Sequence, residues 1–219
     1  MAMTLKQTKG GGGGHEKAPP GNHLAVLVGI FDMGTQENEF GGKVKVQHRA
    51  YFAWELTGEK IAGTTKNHVI GTDLTFSLNE KATLRKWIES RTGKTIPEDG
   101  ADFDISSELG QPCMLSVVMN GEYPKIAGMA AVPAIFLKSV PKPTYPITLV
   151  ELDQFKAGTP IPEWCPWLYG NELSDHIKAC QELGGVKPKP KKREDGIQSA
   201  PVGGNPDGSP AKTGDMIPF

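Results

Sequence analysis

Three cysteines in 219 residues, Cys113, Cys165 and Cys180, are an odd number, and no two of them have C-x-x-C spacing. That scarcity points away from a disulfide framework or a zinc site and toward free thiols in a reducing cytoplasm. Charge of one sign is also lacking. Lys plus Arg number 24 and Asp plus Glu 25, a formal net charge of -1. No global field draws polyanions, so any polyanion site must be a local patch. There is no apolar run long enough to span a bilayer and no secretory core. The phosphate-cradling motifs G-x-x-x-x-G-K-[ST] and G-x-G-x-x-G after a strand are missing. His15, His23, His48, His68 and His176 show neither H-x-x-x-H nor H-E-x-x-H spacing, and no Ser or Cys sits in a nucleophile motif. Asp102 and Asp104 are close enough in sequence to share a metal, but with Asp99 they read as a solvated acidic loop. The pattern is that of a protein that is not an enzyme and carries no cofactor.

Apolar residues are 37% of the chain, and the shortfall lies at its ends. Residues 1–22 hold a five-glycine run and Ala18-Pro19-Pro20-Gly21, a composition that reads as a mobile arm. Residues 184–219 are Pro, Gly, Lys, Asp and Ser with few apolar side chains. Such a segment does not offset its own ordering entropy and is expected to be a disordered linker.

Between the ends the signals are those of strands. Residues 24–31 are apolar on both faces, as in a buried strand. Residues 34–42 read as a loop or irregular hairpin. Residues 43–56 alternate, with Val44, Val46, His48, Ala50, Phe52, Trp54 and Leu56 on one face. Lys43, Lys45, Gln47, Arg49, Tyr51, Ala53 and Glu55 fall on the other. The first set is an inner face, and the second a basic outer face carrying an aromatic. Residues 68–78 form a third strand with Ile70, Thr72, Leu74, Phe76 and Leu78 aligned. Ser77 and Glu80 have capping-box spacing before a helix whose stripe is Leu84, Trp87 and Ile88 and whose stop is Gly93. Residues 113–119 and 123–132 are strands joined by Asn120-Gly121, a strong hairpin signal.

Three strands, a helix and two strands is the order of the OB-fold barrel. The expected fold is therefore mainly β: a five-stranded OB-fold-like barrel over residues 23–134 with a helix between strands 3 and 4. Residues 135–183 form a Pro- and Trp-containing extension, with a strand near 145–152 and a short helix bearing Leu173, Ile177 and Cys180. It either packs on the barrel or mediates self-association.

The chain ends Gly214-Asp215-Met216-Ile217-Pro218-Phe219. An apolar tip on a soluble tether suggests a peptide ligand: Phe219 for an apolar pocket, and its terminal carboxylate for a basic residue. This ending resembles the tip of bacterial single-stranded DNA-binding proteins, several aspartates followed by Ile-Pro-Phe. The resemblance implies that Asp215, Ile217, Pro218 and Phe219 dock replication, recombination and repair proteins. The chain departs from the pattern in having one aspartate there, with Lys212 close by, which weakens attraction to basic partners. Gly34-Thr35-Gln36, Trp54-Glu55-Leu56, residues 77–81, Leu84-Arg85 and residues 109–113 resemble phage- or prophage-encoded single-stranded DNA-binding proteins, over about residues 24–133.

For such a protein the expected interface is the outer face of the second strand. Lys43, Lys45 and Arg49 would track phosphates and Tyr51 would stack on a base. Tyr123 and Lys125 on the fifth strand and Lys66 before the third would extend the groove. A merely solvated strand face is the alternative for the lysines, and Trp54 belongs by parity to the core. The basic run 187–193 either touches phosphates or keeps the linker soluble. Two rivals stand beside DNA binding: an adaptor whose tip mimics the host tip without binding DNA, and a nucleic-acid enzyme with an unrecognised site.

Overall fold

A computed structural model describes residues 16–40, 43–97 and 103–185. The basic run 187–193 and the tip residues Asp215, Ile217, Pro218 and Phe219 lie outside the described residues. The elements, in order, are β1 (Gly21–Phe40), β2 (Lys43–Lys60), β3 (Asn67–Thr75), α1 (Thr83–Thr92), β4 (Pro112–Asn120), β5 (Tyr123–Ala130), β6 (Thr148–Val150), α2 (Leu152–Lys156) and α3 (Leu173–Lys178). Short 3-10 turns occur at Ile105–Glu108, Ala134–Ser139 and Gln181–Leu183. Among the described residues no helix is long and apolar enough to cross a membrane.

The strands form one sheet of order β3-β2-β1-β4-β5, with β6 added to β1. The first five pair antiparallel, while β6 runs parallel to β1 at Gly29, Ile30 and Phe31. The expected helix between the third and fourth strands is α1. Among the described residues no ladder joins β3 to β5, although their Cα atoms come within 8 Å. The sheet is curled but not closed by hydrogen bonds.

One expectation about the first hairpin is resolved and one corrected. Of the two readings of residues 34–42, the irregular hairpin rather than the loop holds over 34–40: β1 continues to Phe40 and stays paired with β2. A register shift between Asp32 and Thr35 absorbs the irregularity, with Gly34 at a φ of 64° that favours glycine. The supposed inner face of β2 also ends early. Val44 is 62% and Val46 51% exposed, because this part of the hairpin projects beyond the core as a two-stranded ribbon.

Past His48 the alternation holds. Ala50, Phe52, Trp54 and Leu56 join Ala25, Leu27, Ile30, Leu74, Leu115 and Val117 in one apolar core. α1 seals it through Leu84 and Ile88, and Trp87 meets Trp54 edge-on at 5.8 Å. Gly93 ends α1 in the left-handed region as expected. Ser77 does not cap it. The helix starts at Thr83 without a side-chain cap, and the Ser77 hydroxyl accepts from the Asn79 amide at 3.1 Å. Local turns at Ser77 and Asn79 hold the backbone out of helix there.

A second core lies on the opposite face of β1 and β2. Phe31, Met33, Tyr51 and Ala53 pack against Val150, Leu152, Cys165, Leu168, Leu173, Ile177 and Cys180. The extension therefore packs on the sheet, and Leu173, Ile177 and Cys180 are buried together as their spacing predicts. Burial of each large aliphatic side chain stabilises by about 1.5–3 kcal/mol. Five of them, Val150, Leu152, Leu168, Leu173 and Ile177, anchor this cover to the sheet.

Candidate nucleic-acid interface

The outer face of β2 is not an open platform. Arg49 is 9% and Tyr51 1% exposed. Their placement on an accessible stacking face is thus corrected: the alternation put them opposite the first core, and the extension then covered them. The charged groups there, Arg49 and Glu55, each have partners. Arg49 donates from Nε to Asp73 Oδ2 at 2.7 Å, and its Nη2 lies 2.6 Å from the same oxygen. The Tyr169 hydroxyl, from the extension, donates to the other oxygen, Asp73 Oδ1, at 2.8 Å. Burial, with Asp73 close by, pushes the Tyr169 hydroxyl well above its ordinary pKa, so it stays a donor.

Glu55 is fully buried and accepts from four donors. They are the Thr144 amide at 2.8 Å, the Thr144 hydroxyl at 2.9 Å, the Tyr145 amide at 3.0 Å and Asn67 Nδ2 at 2.6 Å. Farther along, Glu182 accepts from the Thr35 amide at 2.8 Å and the Thr35 hydroxyl at 2.6 Å. Gln36 Nε2 donates to the His176 carbonyl at 3.0 Å. These contacts fasten the extension to β1, β2 and β3 in several places.

The remaining expected residues separate into two groups at opposite ends of β2. Lys45 is exposed on the projecting ribbon opposite Asn38 in the ladder; the side chain of Lys43 lies outside the described residues. At the other end Lys66 is exposed in the turn between β2 and β3, and Lys125 is exposed on β5. Tyr123, half-buried, lies two residues before Lys125 on the same face of β5. The ladders explain why this end gathers them. Lys60 opposes Asn67 as β2 turns into β3, Gly21 opposes Val117 at the start of β1, and Asn120 opposes Tyr123 as β4 turns into β5. Two tyrosines here have a lysine nearby: Lys17 Nζ is 4.8 Å from the Tyr123 ring centroid and Lys66 Nζ 5.8 Å from that of Tyr145. Tyr145 is itself buried against Trp164, with ring centroids 5.4 Å apart.

Composition assigns Lys17 to a free arm, yet residues 16–20 are held in place, and Gly21 and Asn22 already pair with β4. The only hint in the sequence is that Ala18-Pro19-Pro20 follows the glycine run with little conformational freedom. Phe76 is likewise repositioned. It was aligned with the inner face, but it is 42% exposed beside His48, with ring centroids 5.5 Å apart.

Burial pushes the Cys113 and Cys165 thiols up to about 12. Among the described residues no group of three or more His, Cys, Asp or Glu side chains converges on a metal site. Asp104 instead caps the following turn, accepting from the Ser106 amide at 2.9 Å.

No protein-family model matches the chain, and a search of curated proteins returns no match.

Proposed function

We propose that the chain is a non-enzymatic, sequence-tolerant single-stranded DNA-binding protein of the bacterial cytoplasm, built on an OB-fold-like barrel. It coats and protects single strands during replication and recombination. Asp215, Ile217, Pro218 and Phe219 recruit partners at the end of the tail. One observation carries most of the weight: the strand order β3-β2-β1-β4-β5 with α1 between β3 and β4, the arrangement of OB folds that bind oligonucleotides. Lys66, Tyr123 and Lys125 at one end of the sheet supply cations and an aromatic ring of the kind that groove needs. Because Arg49 and Tyr51 are buried, the proposed interface is this end of the sheet rather than the middle of β2.

That same burial favours the second reading, an adaptor that carries the tip without binding DNA. Fluorescence anisotropy of full-length protein with labelled oligo-dT separates the two. Binding that weakens with salt, and weakens further in the double variant Lys66→Glu/Lys125→Glu, supports the DNA reading. Absence of binding at low salt sinks it and promotes the adaptor.

A further inference from the structure

The segment ahead of β1 has the composition of a free arm, but its last residues are tied down on both sides. The Glu16 carboxylate accepts from the Ala62 amide at 2.6 Å, in the turn between β2 and β3. Ala18 is 6% exposed and belongs to the first core. The Pro19 carbonyl is 2.9 Å from His23 Nε2, and His23 Nδ1 is 3.2 Å from Glu59. Across the gap Lys17 Nζ is 3.7 Å from Glu122 and 4.8 Å from the Tyr123 ring centroid, in the hairpin between β4 and β5. Residues 16–20 thus bridge the turn that carries Lys66 and the hairpin that carries Tyr123 and Lys125.

We propose that Lys17 is a phosphate-contacting residue of a composite groove formed by residues 16–20, the β2–β3 turn and the β4–β5 hairpin, which takes the phosphodiester backbone of a single strand. This rests on the single-stranded DNA reading above and adds to it a residue and a means of assembling the groove. Lys17 suits the role because its stem is anchored and its charge is not. Ala18 fixes the backbone one residue away, and the Tyr123 ring lies near the ammonium. Its carboxylate partner Glu122 is 77% exposed. An exposed ion pair of this kind is weak, so an incoming phosphate replaces the carboxylate with little loss. Glu122 is then a competitor for the cation, and its removal should help binding.

The test uses full-length protein with oligo-dT across a salt series. A single-strand phosphate contact contributes about 0.7 to the slope of log K against log salt. Lys17→Gln should lower the slope by about that amount, so the wild-type advantage shrinks roughly 2- to 3-fold between 50 and 200 mM salt. Lys17→Arg should keep the wild-type slope. Glu122→Gln should bind more tightly than wild type, and Lys17→Gln should abolish that gain in the double variant; a gain that persists without Lys17 is general electrostatics and overturns the competition. An unchanged slope in Lys17→Gln, with wild type still binding, overturns the role of Lys17 and leaves the DNA reading intact. The same proteins are titrated with inorganic polyphosphate. Lys17-dependent polyphosphate binding without oligo-dT binding keeps the anion groove and removes the DNA reading. Failure of wild type to bind either ligand removes both.

Discussion

Along β2, Ala50, Phe52, Trp54 and Leu56 enter one core while Arg49, Tyr51, Ala53 and Glu55 enter another. The first face is covered by apolar surfaces that the alternation itself calls for. The second is covered although it carries an arginine, a tyrosine and a glutamate, and that is possible only because each charge meets a specific partner. Arg49 has Asp73, and Glu55 has the Thr144 and Tyr145 amides and Asn67. Burial of a polar group costs free energy unless its hydrogen bonds are replaced. The inner face therefore tolerates any well-fitting apolar side chain, while the outer face depends on particular atoms.

Four measurements break or sharpen that contrast, from the largest expected effect to the smallest. Phe52→Ala opens a cavity in the first core and should cost about 3–5 kcal/mol in denaturant unfolding. Asp73→Ala leaves Arg49 buried without its counter-charge and should cost about 3 kcal/mol. Amide exchange should show the loss concentrated in residues 144–183 and β3; uniform loss across both cores would mean that the two faces are one energetic unit. Gly71→Ala addresses the close approach of β3 to Tyr51, where an added Cβ would overlap the tyrosine ring. Overpacking there should cost about 2 kcal/mol by thermal melting, and a neutral result would show that Tyr51 has room to move.

The smallest effect concerns Glu182. Its burial raises the carboxyl pKa, but the Thr35 hydroxyl and amide more than offset this and hold it down at about 2, against an ordinary 4.5. A lowered folded pKa stabilises docking of the Gln181–Leu183 turn onto β1 above pH 4.5, and the stabilisation fades as pH falls toward 2. Thr35 amide exchange should rise over that window in wild type. Glu182→Gln should flatten the dependence, and a flat wild-type profile would show that the contact is not maintained in solution.

The alternation of residues 50–56, the strand run at 24–31, the Asn120-Gly121 hairpin and the Gly93 helix stop were legible because each depends on neighbours within a few positions. They determined which side chains share a face and the order of the strands. The stopping point of the first core at His48, the exposure of Val44, Val46 and Phe76, and the anchoring of Lys17 were not legible. They depend on how far α1 and the other strands extend over the sheet, and on contacts spanning many residues, such as Ala62 with Glu16. Three of the four residues of the proposed interface, Lys66, Tyr123 and Lys125, could be named from the sequence because turns and hairpins present their residues; Lys17 could not. Arg49 and Tyr51 could be assigned to a face but not to solvent. Period-two alternation determines that two side chains point the same way; what lies against them was decided by residues 144–183, folding back across about 90 positions to reach Glu55.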